Sequence, residues 1–476
     1  MRDLQTHQLE DAFIQSAVVM RDQAFQHAGA EGGAWIPAQQ AADQQLAAGN
    51  TARGPRIIGV MSSPPSTGHQ PDTGSDTRAH HPLVGSNLAA QAAEQLCLAA
   101  VPMVAVLAFA AGPGEVGLLT GAQTLPYLLL AIPLGLLADR VPRRTLMLAA
   151  EGLRAVTLAL LAVAVALGLA TLPVLAVLGF LGAIGTVGFS VAAPALLPAI
   201  VPRAALARAN SHIELARSLA FAAGPALAGA LVAWAGGGVA FAAAAVLSVG
   251  AVLMLARLHE PARVPPPARH PLVEMRQGAG FVWRHALLKP ILLTAVAWNL
   301  AWCVLQAAFV PWAMQQLGMS AATVGLTMAG YGAGMVLGAL AAGQVLRRLR
   351  YGVAVMLGPL VSVLAAAVMA ATTVWPQPAL AGLSFFLFGA GPILWTISST
   401  TLRQHVTAQD LLGRVGAIFL TVNAGARPVG ALIGAWVGAR HGAAACLWLA
   451  LAGFVLQALV ISASPVRGLR QLPQPA

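Results

Sequence analysis

What most constrains this chain is a matter of run length. From Leu88 to Ser462 it alternates apolar stretches with short polar connections. Twelve such stretches can be drawn, at 88–111, 116–137, 145–170, 172–200, 213–235, 238–258, 291–312, 321–346, 351–374, 378–399, 415–437 and 443–462. Each is near or above the roughly 20 residues that an α-helix needs to cross a bilayer. Composition agrees: 58% of the 476 residues are hydrophobic and 9% are charged, against about 25% charged in soluble domains. Lipid, not water, solvates most of such a chain. Pro102, Pro133, Pro194, Pro225, Pro311, Pro392 and Pro428 fall inside the runs and do not count against helices, which tolerate proline better in lipid. The short gaps force consecutive helices antiparallel.

The formal charge of +11 does not point to nucleic acid, because its placement is that of membrane topology. The connections after even-numbered runs hold Arg140, Arg143 and Arg144; Arg203 and Arg208; Arg263, Arg269, Arg276, Arg284 and Lys289; Arg347, Arg348 and Arg350; and Arg403 and Arg414. The connections after odd-numbered runs hold Arg440 and no other Lys or Arg. The positive-inside bias then puts the arginine-rich connections, and both termini, in the cytoplasm. Cys97, Cys303 and Cys446 each lie within an apolar run, without metal-ligand or disulfide spacing.

The longest internal connection, 259–290, divides the runs six and six, and its segment Glu274–Trp283 has the pattern of an amphipathic surface helix. The halves echo one another. Arg208 and Arg414 are 206 positions apart, as are Gly224 and Gly430, and Ala228 and Gly434. A six-plus-six repeat is a transporter architecture, with a site expected at mid-membrane between the halves. The expected organisation is an extension over 1–84, a bundle over 85–258, a loop over 259–290, a second bundle over 291–464 and a tail over 465–476. The extension is polar and low in apolar content, and is expected to be disordered, with a weak amphipathic helix over Leu4–Gln26 and no signal peptide. Met61 is an expected alternative start.

Between the second and third runs stands Gly135-Leu-Leu-Ala-Asp139-Arg140-Val-Pro-Arg143-Arg144. An acid contributes little to topology, so Asp139 calls for another role: it can accept hydrogen bonds from a neighbouring helix N-terminus, where the dipole favours an anion. The arginines can join loop ends or meet anionic lipid. The fifth run contains Ala220-Phe-Ala-Ala-Gly224-Pro225-Ala-Leu-Ala228-Gly229, small residues that permit close helix packing with a proline that bends the helix. Together with Glu94, Asn210, Arg427-Pro428 and the tail Ser464-Pro-Val-Arg-Gly-Leu-Arg-Gln-Leu-Pro473, these segments resemble the major facilitator superfamily. Within it they resemble the branch of macrolide-type and enterobactin-type exporters. The resemblance covers 85–473; Pro142 stands where the family loop has Gly. It implies an all-α membrane protein of twelve transmembrane helices in two six-helix pseudo-repeats. It also implies a cytoplasmic gate of Gly135, Asp139, Arg140, Arg143 and Arg144 closing on the eleventh span near Arg414, and an exporter-type motif at Gly224, Pro225 and Gly229.

Ionisable and polar groups inside spans are costly and mark function. Asn87, Gln91, Glu94 and Gln95 share a face of the first span, with Glu94 about 9 Å into it. Glu94 and Gln91 are candidates for coupling or cargo contact, as are Arg427 and Asn423 in the eleventh span, Asn299 and Gln306 in the seventh, and Trp395 with Thr396 in the tenth. Glu94 is a possible partner for Arg427. Glu151 with Arg154, and Glu214 with Arg217, have i,i+3 spacing near the cytoplasmic ends of their spans and are expected to be structural. There is no H-E-x-x-H, G-x-S-x-G or G-x-x-x-x-G-K-[ST] motif, so no enzyme, cofactor, metal or ATP drive is expected. The expectation is a monomeric, proton-coupled exporter of a small amphipathic molecule (drug, macrolide-like compound or siderophore) in the bacterial inner membrane, with lipids, protons and cargo as its partners and no nucleic acid. Import, lipid flipping or ligand sensing are the alternatives.

Overall fold

The computed structural model describes residues 81–201, 206–260, 271–408 and 411–473, all within the unit Pro71–Ala476. The expectations for residues 1–80 lie outside them. Six long helices come first: α1 (His81–Phe109), α2 (Pro113–Arg140), α3 (Arg143–Ala166), α4 (Leu172–Ile200), α5 (Leu206–Ala235) and α6 (Gly237–Ala256). A short helix α7 (Pro271–Arg284) leads into α8 (Leu288–Pro311), which ends in a π-helical turn, Trp312–Gln316. Then come α9 (Ala321–Arg348), α10 (Tyr351–Ala371) and α11 (Pro378–His405). The last helical stretch, Leu412–Ser462, is broken at Gly442 (φ 78°, ψ 179°), a conformation that suits glycine. Unbroken, its 51 residues would extend about 76 Å, more than twice the bilayer's hydrocarbon core of about 30 Å. The break yields α12 over 412–441 and α13 over 443–462, completing twelve spans.

The turns at the two ends differ in chemistry. At the arginine-poor end, Gly168, Gly236, Gly318 and Gly442 take positive φ and let the chain reverse in a few residues. Helix starts nearby are capped by side chains: Thr171 Oγ1 accepts from Val174 N at 3.4 Å and Ser320 Oγ from Thr323 N at 3.3 Å. At the other end the turns carry the arginines.

Helix ends depart from the apolar runs in two instructive places. α1 begins at His81, seven residues before Leu88, because Leu83 is fully buried in a cluster with Met147 of α3 and Leu255 of α6; packing extends the helix beyond its apolar core. Asp139 and Arg140, expected in a loop, are the last residues of α2. Only Val141 and Pro142 separate α2 from α3, and Val141 N still donates to Leu137 O at 2.9 Å.

Within the first six helices α1 packs on α5 and α6, α3 on α4 and α6, and α2 on α4; within the second six α8 packs on the Leu412–Ser462 hairpin, and α11 on α9 and α10. The repeat is visible in its glycines. A methyl at Gly224 of α5 would sit 2.5 Å from Gln95 Cβ of α1, and one at Gly430 of α12 would sit 2.8 Å from Leu300 Cα of α8. Equivalent glycines thus permit equivalent close approaches in each half.

The halves meet along two seams, α2 with α12 and α5 with α9, which the repeat relates to one another. The close approaches that glycines make across these seams run from mid-membrane to the arginine-poor end. Gly117 lies against Ala435, Gly438 against Pro113, and Gly332 against Ala222; a methyl on Gly229 would sit 2.8 Å from Gly325 Cα. Gln315 of the π turn adds a hydrogen bond across the halves, donating from Nε2 to Ala111 O at 3.2 Å. In this state the molecule is held shut at its arginine-poor end.

Candidate functional site

Four helices converge at mid-membrane. α1 brings Gln91 and Glu94, both half-buried, while Asn87 and Gln95 of the same polar face are packed inside the bundle. α2 brings Tyr127, α12 brings Asn423 and Arg427, and α8 brings Asn299. Arg427 lies fifteen residues into the helix that starts at Leu412, about 22 Å along it, yet its side chain is exposed. A cation at that depth and with that exposure faces a water-accessible space between the halves.

Glu94, Tyr127, Arg427 and Asn299 form a chain of contacts. The Tyr127 hydroxyl donates to Glu94 Oε1 at 3.4 Å. The Arg427 guanidinium lies over the Tyr127 ring, 5.9 Å from its centroid. Arg427 Nε donates to Asn299 Oδ1 at 3.1 Å, and Asn299 Nδ2 donates to Ala295 O at 2.9 Å within α8. Tyr127 therefore stands between the acid and the arginine: it hydrogen-bonds the acid in its own half and offers its ring face to the arginine of the other. The sequence reading missed Tyr127. Its signal is compositional, since the chain has only 3 tyrosines and this one sits in the middle of an apolar run. Gln306 is half-buried on α8 and joins none of these contacts. Trp395 is buried and, with Asn423, borders a separate cavity between α8, α11 and α12.

A second polar cluster lies wholly inside the first half. Glu151 and Arg154 pair at 2.7 Å and both are buried. Arg154 also donates to Ala90 O of α1 at 2.8 Å, Ser248 Oγ of α6 at 3.2 Å and Thr186 Oγ1 of α4 at 3.3 Å. The pair is at the middle of α3 (Arg143–Ala166), not near the arginine-rich end of the span as expected. The desolvation cost of such a pair is offset only when the remaining donors find partners, and here they tie four helices together. Glu214 and Arg217 also pair, at 2.9 Å, but on an exposed face of α5.

At the arginine-rich end the loop residues separate. Arg144 donates from Nε to Leu255 O at 3.0 Å and from Nη2 to Ala256 O at 2.6 Å. Glu260 accepts from the backbone N–H groups of Arg143 (3.1 Å) and Arg144 (2.8 Å). Arg140 is exposed at the end of α2, and a methyl on Gly135 would meet only Val191, at 3.9 Å. The Asp139 side chain lies outside the described residues, so its expected contact with α12 is not placed. At the start of α12, Arg414 Nη1 donates to Gln277 Oε1 of α7 at 3.0 Å. Gly224, Pro225 and Gly229 divide between two contacts, one inside the half and one across the halves. Gly224 faces α1 inside its half, whereas Pro225 O and Gly229 face Gly325 of α9 in the other half.

The family model of the Major Facilitator Superfamily matches residues 83–431. Among curated proteins the chain is 28% identical over 287 residues to the enterobactin exporter EntS of Salmonella typhimurium (strain LT2), covering 59% of this chain and 67% of that protein. It is 28% identical over 269 residues to EntS of Citrobacter koseri, covering 56% and 63%. It is 30% identical over 264 residues to the uncharacterised transporter y4rN of Sinorhizobium fredii, covering 52% and 62%. Among solved structures it resembles a bacterial homologue of the iron transporter ferroportin in an inward-facing state. There the TM-score is 0.66 at 16% identity, over 82% of this chain and 99% of that one. The nucleoside transporter NupG gives a TM-score of 0.62 at 13% identity, over 80% and 98%. With a family model matched over most of the chain and twelve spans arranged as two packed halves, the protein is a multi-pass membrane transporter and belongs to the major facilitator superfamily.

Proposed function

We propose that this transporter exports a small amphipathic molecule from the cytoplasm by proton-coupled alternating access, acting as a monomer in the bacterial inner membrane with both termini inside. The observation that carries the reading is the chain Glu94–Tyr127–Arg427–Asn299. It places a carboxylate and a guanidinium at mid-membrane on opposite sides of the seam between halves. Similarity to two enterobactin exporters supports export and a siderophore-like cargo; drugs and macrolide-like compounds remain within the same class.

With the arginine-rich end in the cytoplasm, the state described above is inward-facing and ready to load. Cargo enters between the halves and meets Arg427 and Asn299 on one side and Gln91 and Glu94 on the other. After the halves rock to face outward, Glu94 takes a proton and cargo leaves. A neutral Glu94 no longer attracts Arg427 across the Tyr127 ring, which lets the empty carrier return and release the proton inside. Closure of the arginine-rich end falls to Asp139 and its arginines against α12. The test is accumulation and growth inhibition in a bacterium stripped of its main efflux pumps, over dyes, antibiotics and siderophores. The arms are wild type, Glu94→Gln and Asp139→Asn, each with and without an uncoupler. Lower accumulation in the wild type alone, abolished by the uncoupler, is the expected result. Matching of wild type and empty vector for every compound, with protein in the membrane, sinks the reading in favour of import, lipid flipping or sensing.

A further inference from the structure

The second half holds a cavity that the mid-membrane chain does not use. Its volume is about 120 Å³; it is open on one side and lined by Ile291 and Ala295 of α8, Trp395, Thr396, Ser399, Thr400 and Arg403 of α11, and Phe419 and Asn423 of α12. Five of its nine lining residues carry a polar side chain other than Trp: Thr396, Ser399, Thr400, Arg403 and Asn423. Arg403 is half-buried in the last turn of α11, with its guanidinium over the Phe419 ring at 4.8 Å. Among the described residues it has no carboxylate or hydrogen-bond partner. Ser399 and Thr400 likewise make no side-chain hydrogen bond among the described residues. Asn423 Oδ1 is buried without a donor.

A half-buried guanidinium gains from an acceptor, because even partial desolvation of a charge is costly. The Phe419 face meets that need only partly. The buried amide oxygen needs a donor. The α11 wall differs from its counterpart in the first half. At the repeat distance of 206, positions 403, 400 and 399 correspond to Leu197, Pro194 and Ala193. Positions 396 and 423 correspond to the polar Ser190 and Arg217, so what is particular to this half is the set of one arginine and two hydroxyls on α11.

We infer that this cavity is an oxyanion-binding site, in which Arg403 and the Ser399 and Thr400 hydroxyls hold a carboxylate- or phosphate-sized group. Asn423 takes a hydroxyl carried beside that group. Space suffices, since a water occupies about 30 Å³ of liquid volume, so several oxygen-sized atoms fit. The site lies toward the arginine-rich end of the second half. Asn423 is one helical turn from Arg427, and Ala295, which lines the cavity, also receives the Asn299 amide. An anionic head group docked here is one step from the mid-membrane chain. The assignment concerns binding and stands whether the chain exports, imports or senses.

The experiment is a thermal-shift titration of the purified, lipid-stripped full chain in detergent, with inorganic phosphate and glycolate as probes. Sodium chloride at matched ionic strength is the reference. The expected result is stabilisation by both probes beyond chloride. Apparent affinity should weaken about tenfold in Arg403→Gln and persist in Arg427→Gln. Ser399→Ala/Thr400→Val keeps the charge and guards against a folding defect in the arginine variant; it should weaken binding severalfold. Asn423→Ala should weaken binding of glycolate, which carries the hydroxyl, more than that of phosphate. Repeating the phosphate titration in phosphatidylglycerol and phosphatidylcholine nanodiscs separates sources. Loss of the shift in phosphatidylglycerol alone marks a lipid headgroup as the resident oxyanion, and a shift kept in both marks a soluble one. Phosphate stabilisation no greater than chloride, or equal in wild type and both cavity variants, overturns the inference.

Discussion

Arg144 and Glu260 cap each other's helices. The Arg144 guanidinium covers the last carbonyls of α6, at Leu255 and Ala256, and the Glu260 carboxylate, just beyond α6, covers the first N–H groups of α3. Each charge also meets the helix end of opposite sign. The relationship joins the ends of two helices inside one half. It gives Arg144 a role that does not depend on the gate between halves. Replacing Glu260 with Ala should lower stability by about 1 kcal/mol, the usual scale for a lost helix cap. Arg144→Ala should cost a similar amount, and the double variant less than the sum, because the two caps share one junction. Thermal unfolding of the four proteins in one detergent checks this; strict additivity would contradict a shared junction.

The seam glycines make a contrast that one substitution at each can read. Valine at Gly224 would collide with Gln95 inside the first half, whereas valine at Gly229 would collide with Gly325 across the halves. Gly224→Val is therefore expected to reduce folded yield. Gly229→Val is expected to fold but to part the halves at the arginine-poor end, biasing the population toward the state open there. Size-exclusion profiles report the first effect. Labelling of a cysteine introduced by Ser320→Cys, at the mouth of that seam, reports the second as faster modification than in the Gly229 parent.

Gln315 offers a gentler route to the same bias. Its bond to Ala111 O crosses the halves at the arginine-poor end, and a π-helical turn, a geometry often found at functional positions, presents it. Gln315→Ala should shift the equilibrium outward by about 1 kcal/mol, the net worth of one hydrogen bond, or roughly a fivefold change in population. Distance distributions between spin labels on α1 and α9 should show the outward population rise; an unchanged distribution would assign Gln315 a purely local role.

Much of this was legible before any coordinates. Twelve spans followed from run length, and even the break at Gly442 fell in the gap between the last two apolar runs, although hydrogen bonding carries helix up to it on both sides. Depth along a span is less legible: Glu151 and Arg154, expected near the cytoplasmic end of their span, lie at the middle of α3, Arg143–Ala166. What sequence withheld was pairing. Arg427 and Asn299 are 128 positions apart and Glu260 and Arg143 are 117 apart, and no periodicity links such positions. Arg427 calls for an acceptor, with Glu94 the candidate by sequence; its neighbours are Asn299 and the Tyr127 ring, with Glu94 beyond the tyrosine. Arg403 looked like one more topological charge because only the fold reveals the hydroxyls beside it.

Tyr127 is the residue whose role most needs chemistry to separate it from packing. Tyr127→Phe keeps the ring under Arg427 and removes only the hydroxyl that reaches Glu94. If the hydroxyl orients the carboxylate for proton exchange, cargo binding should be unchanged and turnover should fall about fivefold, the scale of one hydrogen bond. The pH profile of transport should also move. Tyr127→Ala removes the ring as well and should weaken binding too. Equal losses in both variants would make the hydroxyl irrelevant and leave the ring as a spacer.

His285 supplies a pH effect outside the membrane. It sits between α7 and α8, where its Nδ1 accepts from the backbone N–H groups of Leu287 (3.2 Å) and Leu288 (3.3 Å). The neutral ring is required, since the imidazolium has no acceptor. Burial holds its pKa below the usual histidine value, because desolvation disfavours the charged form. The sign follows from linkage. The unfolded chain binds the proton first, so the cap's stabilisation is complete above the unfolded value of about 6.5 and is lost as pH falls below it through the lower folded value. His285→Gln cannot titrate. Thermal unfolding from pH 8 to pH 5 should therefore show a wild-type midpoint that drops on the acid side more steeply than the variant's. A variant that tracks the wild type across the whole range would place the acid sensitivity elsewhere and leave His285 a cap without a switch.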